Sequence, residues 1–257
     1  MAGAVVLAGG RSSRMGRSKA DLEWHGSTLL RRVVGLAARG ARGPVVVVRA
    51  PGQLLPALPA GVAVVEDQVS DRGPLQGLAA GLAALQDRTE AAFVCATDLP
   101  FLHPAYVRRV LEGLGGADVA LPTVHGFRQP LAASYRTSLA TRVAELLEAG
   151  STRPADLLAA CDVVALDEAF LLADPELVVV DPSLDSVRGV NDVAAYDEAR
   201  ARPAPQVEVL LPDGTVRPVR AATLGAAAAA AGVDVGDQDP STPLAEGDRP
   251  RVGGWSA

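Results

Sequence analysis

Residues 7–21 read LAGGRSSRMGRSKAD, and they follow an apolar run directly. Gly9 and Gly10 let the backbone pass close to a ligand with its amide groups turned outward, an arrangement that binds anions. Arg11, Arg14 and Lys19 add mobile positive charge. A polyphosphate is the guest that suits both features. No Gly-Lys-Ser/Thr follows, so the stretch is not a Walker A loop, and its glycines do not fit G-x-G-x-x-G. The alternative reading is a solvated basic loop. Ser12 and Ser13 have no paired base in the sequence, which points to phosphate contact or loop chemistry rather than a nucleophile. Lys19 is the sole lysine of the chain and Asn191 the sole asparagine, while isoleucine is absent and arginine abundant. A coding bias toward G and C accounts for that pattern and leaves arginine wherever any cation serves. A surviving lysine then marks a place that needs a compact ammonium rather than a planar fork. Survival by chance is the alternative.

Other polar residues stand directly after apolar runs: Glu66–Asp67 after VAVV, and Asp98 after FVCAT. Each is ordinary alone, since Asp98 before Leu-Pro can begin a turn and Asp67 can cap a helix. They become a site only if the fold brings them to one edge. The pattern predicts that it does. Short apolar runs at Ala4–Ala8 and Ala92–Ala96 read as buried strands, and Val45–Val48 and Val62–Val65 as two more strands. Val119–Leu121, Leu131–Tyr135, Val163–Leu166 and Leu177–Val180 read as further strands. Helices are expected at Thr28–Ala38, Gln76–Leu85, Pro104–Leu114 and Ser138–Glu148, with Asp192 capping a last one to Arg200. Alternating elements of this kind imply a three-layer α/β fold, a mostly parallel sheet with helices on both faces. In such sheets ligands bind beyond the carboxyl ends of the strands.

Composition narrows the class. The chain has 257 residues, 49% apolar and 21% charged, enough for one well-buried α/β domain with a small appendage. A net charge of −6 argues against a nucleic-acid surface, because such surfaces need a basic excess. Cys95 and Cys161 have neither metal-ligand nor disulfide spacing, and His25, His103 and His125 show no ligand-like spacing either. A reduced cytoplasm is the expected setting, with no signal peptide and no apolar run near the roughly 20 residues a membrane span needs. ARPAP at 201–205 reads as a linker, dividing residues 1–203 from a small unit at 204–257. In that unit VEVLLPDGTVRPV reads as a hairpin turning at Asp213–Gly214, and Leu224–Ala231 as a helix. Together with a late PLAEGD the order weakly resembles a ubiquitin-like β-grasp sulfur-carrier domain, short of its middle strand. A decayed or partly disordered tail is the alternative.

The opening stretch and the motifs after it also carry a resemblance. VVED (64–67), RGPLQGL (72–78), CATDLPFL (95–102), FRQPL (127–131) and VND (190–192) follow LAGGRSSRMGRSKAD in order. Residues 3–200 thereby resemble the molybdenum cofactor guanylyltransferase family, nucleotidyltransferases with a Rossmann-like fold. The resemblance implies transfer of GMP from GTP to the terminal phosphate of molybdenum-molybdopterin, with Mg²⁺ as cofactor. Molybdoenzymes or their chaperones would be the recipients. Position by position it implies that Leu7, Ala8, Gly9 and Gly10 contact the nucleotide through backbone. Lys19 and Arg14 would act on the phosphates, Asp67 would contact the nucleotide, and Asp98 would hold the metal. Arg153 and Asn191 match positions that bind the molybdopterin half. Two departures stand out: Ser18 replaces an acidic residue before the lysine, and Val48–Arg49 lacks a polar nucleotide contact. Cytidylyl relatives tend to read LAAG where this chain reads LAGG, which favours GTP over CTP. A molybdopterin cytidylyltransferase, a guanylyltransferase for a small phosphorylated acid and a sugar-nucleotide pyrophosphorylase remain as enzyme alternatives. A nucleotide-binding regulatory or carrier protein is the non-enzyme alternative.

Overall fold

The computed structural model describes residues 1–9, 18–67 and 73–252. Its strands are β1 (Gly3–Leu7), β2 (Glu23–Trp24), β3 (Ser27–Thr28), β4 (Val45–Arg49), β5 (Ala63–Glu66), β6 (Ala91–Ala96), β7 (Val119–Val124), β8 (Phe127–Arg128), β9 (Ala132–Arg136), β10 (Val163–Leu166), β11 (Gln206–Leu210) and β12 (Val216–Arg220). Its helices are α1 (Leu29–Ala41), α2 (Pro74–Ala83), α3 (Pro104–Glu112), α4 (Leu139–Glu148), α5 (Pro154–Leu158), α6 (Glu168–Leu172), α7 (Leu177–Val180), α8 (Val193–Ala201) and α9 (Leu224–Ala231).

The main sheet runs β10–β7–β9–β6–β1–β4–β5, with β8 added on β7. Along that order only β9 is reversed. β1 lies in the middle between β6 and β4, and every one of its residues is buried. Its side chains alternate between two cores, as the pleat requires. Ala4 and Val6 join the apolar cluster of α1 and α3, while Val5 and Leu7 join that of α2 and α4. The expected three-layer arrangement is therefore present. Gly77 of RGPLQGL and Gly81, four residues on, draw α2 onto β1. A Cβ on Gly81 would stand 2.3 Å from Val5 Cγ1, and one on Gly77 would stand 3.2 Å from Leu7 Cδ2.

The strand expected at 62–65 is present as β5 at the edge of the sheet, with Val64 44% exposed. One expectation changes. Leu177–Val180 is not a strand but a helical turn. The Asp174 side chain accepts hydrogen bonds from the amides of Glu176 and Leu177, which starts a helix. Only Leu177 of the four is fully buried, and Val178 and Val179 are exposed, so a continuous apolar run misled the strand reading.

Residues 206–252 of the C-terminal segment include regular structure. β11 and β12 form the expected antiparallel hairpin, and α9 follows with Thr223 as its cap. Asp248–Val252 then returns alongside β11, with Glu208 N donating to Asp248 O at 2.8 Å and Leu210 N to Pro250 O at 2.9 Å. The pairing of Leu210 with Arg251 is parallel. Val207, Val209, Leu224, Ala227, Leu244 and Val252 form an apolar cluster of their own. No middle β-grasp strand occurs among the described residues. No described helix is long and apolar enough to cross a membrane.

Candidate active site

β1, β4, β5 and β6 run in parallel, so their carboxyl ends share one edge of the sheet. Asp98 follows β6 at that edge. Lys19 begins a single 3₁₀ turn, Lys19–Asp21, whose cap is Ser18: its Oγ accepts from Ala20 N at 3.3 Å. Ala20 and Leu22 are buried, and they anchor the turn that presents Lys19. The Lys19 ammonium donates to Asp98 Oδ2 at 2.8 Å and to Asn191 Oδ1 at 2.9 Å. Residues 79 and 172 positions apart thus meet at one cation. Asn191 is brought there by two local devices. Val190 N donates to Asp98 O at 2.9 Å. Asp192 caps α8 by accepting from Ala195 N at 2.8 Å. Lys19 and Asp98 each keep about a fifth of their side-chain surface open, 21% and 19%. The pair is therefore within reach of a solute.

The end of β1 is held by hydrogen bonds. The Ala8 and Gly9 amides both donate to Val48 O, at 2.8 and 3.2 Å. Leu7 O accepts from Thr97 N and from Thr97 Oγ1, at 3.1 and 2.9 Å. Ala8 O accepts from Gln53 Nε2 at 3.0 Å. The Ala8 and Gly9 amides are therefore engaged within the sheet. Gly10, Arg11 and Arg14 lie outside the described residues. A Cβ on Gly9 would come within 3.2 Å of Ala50 N, so this position favours glycine.

Thr97 and Gln53 were not singled out from the sequence. Thr97 carried a signal: a hydroxyl at the end of an apolar strand must find a partner when buried, and it is 4% exposed. Gln53 carried none, because its partner lies 45 residues away.

Asp67 stands at the same edge after β5, with β4 between it and β1. Its amide donates to Arg49 O at 2.8 Å. Arg49 pairs with Glu66 at 2.7 Å, so the departure at 48–49 is occupied by a local ion pair. Arg153 is not part of the Lys19 cluster. It precedes α5, is 76% exposed on its side chain, and pairs with Asp156 at 3.2 Å. Because β9 is reversed, α4 returns to the carboxyl edge and brings this segment beside α2. A Cβ on Gly73 would meet Thr152 O at 2.7 Å. Asn191, grouped with Arg153 by the sequence, is instead part of the Lys19–Asp98 cluster.

The donor set suits a hard divalent cation. Asp98 Oδ2 and Asn191 Oδ1 converge on one positive charge, and both are oxygen donors of the kind Mg²⁺ takes alongside substrate phosphates. No cluster of three or more His, Cys, Asp or Glu occurs among the described residues. A metal here would be completed by a ligand, not by a carboxylate cage.

Residues 4–169 match the family model of the MobA-like NTP transferase domain. A protein of Mycobacterium tuberculosis H37Rv named "probable molybdenum cofactor guanylyltransferase" is 42% identical over 169 residues, covering 63% of this chain and 81% of that protein. A protein of the same name from Mycobacterium avium is 38% identical over 177 residues, covering 66% and 88%. Among solved structures, molybdopterin-guanine dinucleotide biosynthesis protein A from Archaeoglobus fulgidus shares the fold with a TM-score of 0.60 at 22% identity, over 77% of this chain and 96% of that one. The chain belongs to the MobA-like NTP transferase family, and it is a nucleotidyltransferase.

Proposed function

We propose that the chain transfers GMP from GTP to the terminal phosphate of molybdenum-molybdopterin and releases pyrophosphate. The observation that carries the reading is the Lys19 ammonium held between Asp98 and Asn191 at the carboxyl edge of the sheet. The curated relatives named as guanylyltransferases support the choice of reaction.

The reaction joins two anions. Two like unit charges 4 Å apart repel by about 4 kcal/mol at an effective dielectric of 20. The attacking phosphate is already ionised and needs no strong base. The protein's task is positioning and neutralisation. In the resting protein Lys19 neutralises Asp98. An arriving triphosphate competes for that ammonium, which frees the Asp98 carboxylate for a cation. Asp98, with the Asn191 amide oxygen beside it, would hold Mg²⁺, which when bound neutralises and orients the phosphates. Lys19 would stabilise the charge that grows on the leaving pyrophosphate, with Arg14 as its partner. Leu7, Ala8, Gly9, Gly10 and Asp67 would line the nucleotide at the strand ends. Arg153, on the α2 side of the same edge, would meet the molybdopterin half. Residues 1–203 would form the transferase domain and 204–257 a small second unit, in a cytoplasmic protein.

The deciding assay is pyrophosphate release from GTP and from CTP with Mg²⁺, each with and without molybdenum-molybdopterin. Release from GTP that depends on molybdopterin is expected. Preference for CTP would replace the guanylyl reading with a cytidylyl one. No release from either would leave a nucleotide-binding protein of another kind.

A further inference from the structure

Arg32 lies on α1 and is only 5% exposed. Its guanidinium serves three backbone carbonyls. Nε donates to Pro100 O at 2.6 Å, and Nη1 donates to Leu244 O at 3.0 Å and to Ala222 O at 3.4 Å. Pro100 is two residues past Asp98, whereas Ala222 and Leu244 belong to the C-terminal segment. One planar cation therefore ties the Asp98 loop to the end of the chain.

Other contacts tie the same loop to the same segment. His103 Nδ1 accepts from Ala105 N at 3.1 Å, so in the neutral ring Nε2 carries the proton, and it donates to Glu246 O at 3.0 Å. The guanidinium of Arg202, in the linker, lies 4.3 Å from the centre of the Phe101 ring. Ala245 packs in one apolar cluster with Leu99 and Leu102. The stretch from Leu99 to His103 is thus gripped from outside by residues 202–246. Burying a guanidinium is costly unless its donors are satisfied. Burial brings the Arg32 pKa down to about 10, against the opposing charge of Asp248, and the group still carries its charge at neutral pH. A residue that only filled space between α1 and the loop would be apolar.

We propose that Arg32 is a positioning residue: backed by the C-terminal segment, it fixes the Asp98–His103 loop so that the Asp98 carboxylate meets the nucleotide-bound cation. This rests on the transferase reading above. Lysine cannot substitute, because one ammonium on a flexible stem lacks the fork that spans carbonyls of both bodies. Arg39 docks the segment on α1 without touching the loop: its Nη1 donates to Asp248 Oδ2 at 2.7 Å and to Pro243 O at 3.1 Å. Docking can therefore be disturbed without altering any direct contact to the loop.

Two variants of the full chain test the idea. Arg32→Lys keeps the charge and loses the fork. Gly35→Leu leaves the loop untouched, but its first added carbon would stand 2.5 Å from Pro243 Cγ, so it wedges the C-terminal segment off α1. Two readouts are made: amide hydrogen exchange over residues 99–103, and the Mg²⁺ half-saturation of transfer at fixed GTP. Faster exchange in the loop and an Mg²⁺ half-saturation raised about tenfold to a hundredfold are expected. A merely structural role would lower the active fraction equally at every Mg²⁺ concentration. Unchanged half-saturation in both variants overturns the proposal, whether or not loop exchange rises. Absence of Mg²⁺-dependent transfer in the unmodified protein would instead sink the transferase reading, and loop exchange would still report on the grip of Arg32: unchanged exchange in both variants would overturn it.

Discussion

Lys19 Nζ sits 2.8 Å from Asp98 Oδ2, so the chain's sole lysine neutralises the carboxylate at the end of β6. This pairing explains why a lysine survives in an arginine-rich chain. An ammonium can leave one carboxylate for a phosphate with little rearrangement, while a fork binding both carboxylate oxygens would hold Asp98 shut. Lys19→Ala should lower transfer by about 10²–10³-fold, the scale of losing one electrostatic stabiliser. Its fold should survive, because the pair is partly open to water. Turnover near normal in a steady-state pyrophosphate assay would refute the role.

Asn191 gives a sharper test because it offers an uncharged oxygen to the same cation, 2.9 Å away. Asn191→Leu removes that oxygen and keeps the bulk. The expected result is a raised Mg²⁺ requirement together with a lower rate. An effect confined to the KM for molybdopterin, with the Mg²⁺ titration unmoved, would return Asn191 to the acceptor side of the site.

Gly81 and Gly77 separate close packing from helix propensity. On Gly81 a Cβ would meet Val5 Cγ1 at 2.3 Å, a branched side chain inside the sheet core. Overpacking of that kind costs ~1–3 kcal/mol, against a gain of ~1 kcal/mol from placing alanine in a helix. On Gly77 the neighbour is the end of Leu7, at 3.2 Å. Gly81→Ala should therefore lower the urea midpoint, and Gly77→Ala should change it little. Equal midpoints for the two variants would show that α2 is free to shift on β1.

Much of this was legible in the sequence because the signals were local. Val-rich runs bounded by turns gave the strands, and Asp192 caps the last expected helix of the main sheet unit, as Thr28 and His103 cap α1 and α3. Lys19 and Asp98 stood out by rarity and by place. What stayed hidden depends on distant partners. Arg32 looked like one of many arginines, and only the return of Ala222 and Leu244 to its side explains its burial. The resemblance groups Asn191 with Arg153, but the bond from Val190 N to Asp98 O draws it elsewhere. Leu177–Val180 misled because an apolar run of four fits a strand or a helical turn equally.

The His103 ring supplies a prediction in pH. Burial lowers its pKa below the ordinary 6.5, and its bond to Glu246 O opposes that only in part. An unfolded chain therefore takes up a proton near pH 6.5 that the folded chain resists. Stability should be full above about pH 6.5 and fall as the pH drops toward the folded value. His25, lowered chiefly by burial and then by Arg200 and Arg32, acts in the same direction. Asp181, raised by burial, acts oppositely from its ordinary value of 3.8 upward and is common to both proteins compared. His103→Asn keeps an oxygen that can cap Ala105 N but carries no titratable ring. The melting temperature of the variant should fall less than that of the unmodified protein between pH 7.5 and pH 5, a window set around the unfolded value. Parallel curves across that window would show that His103 takes up its proton without resistance, and that its grip on Glu246 survives in the charged ring.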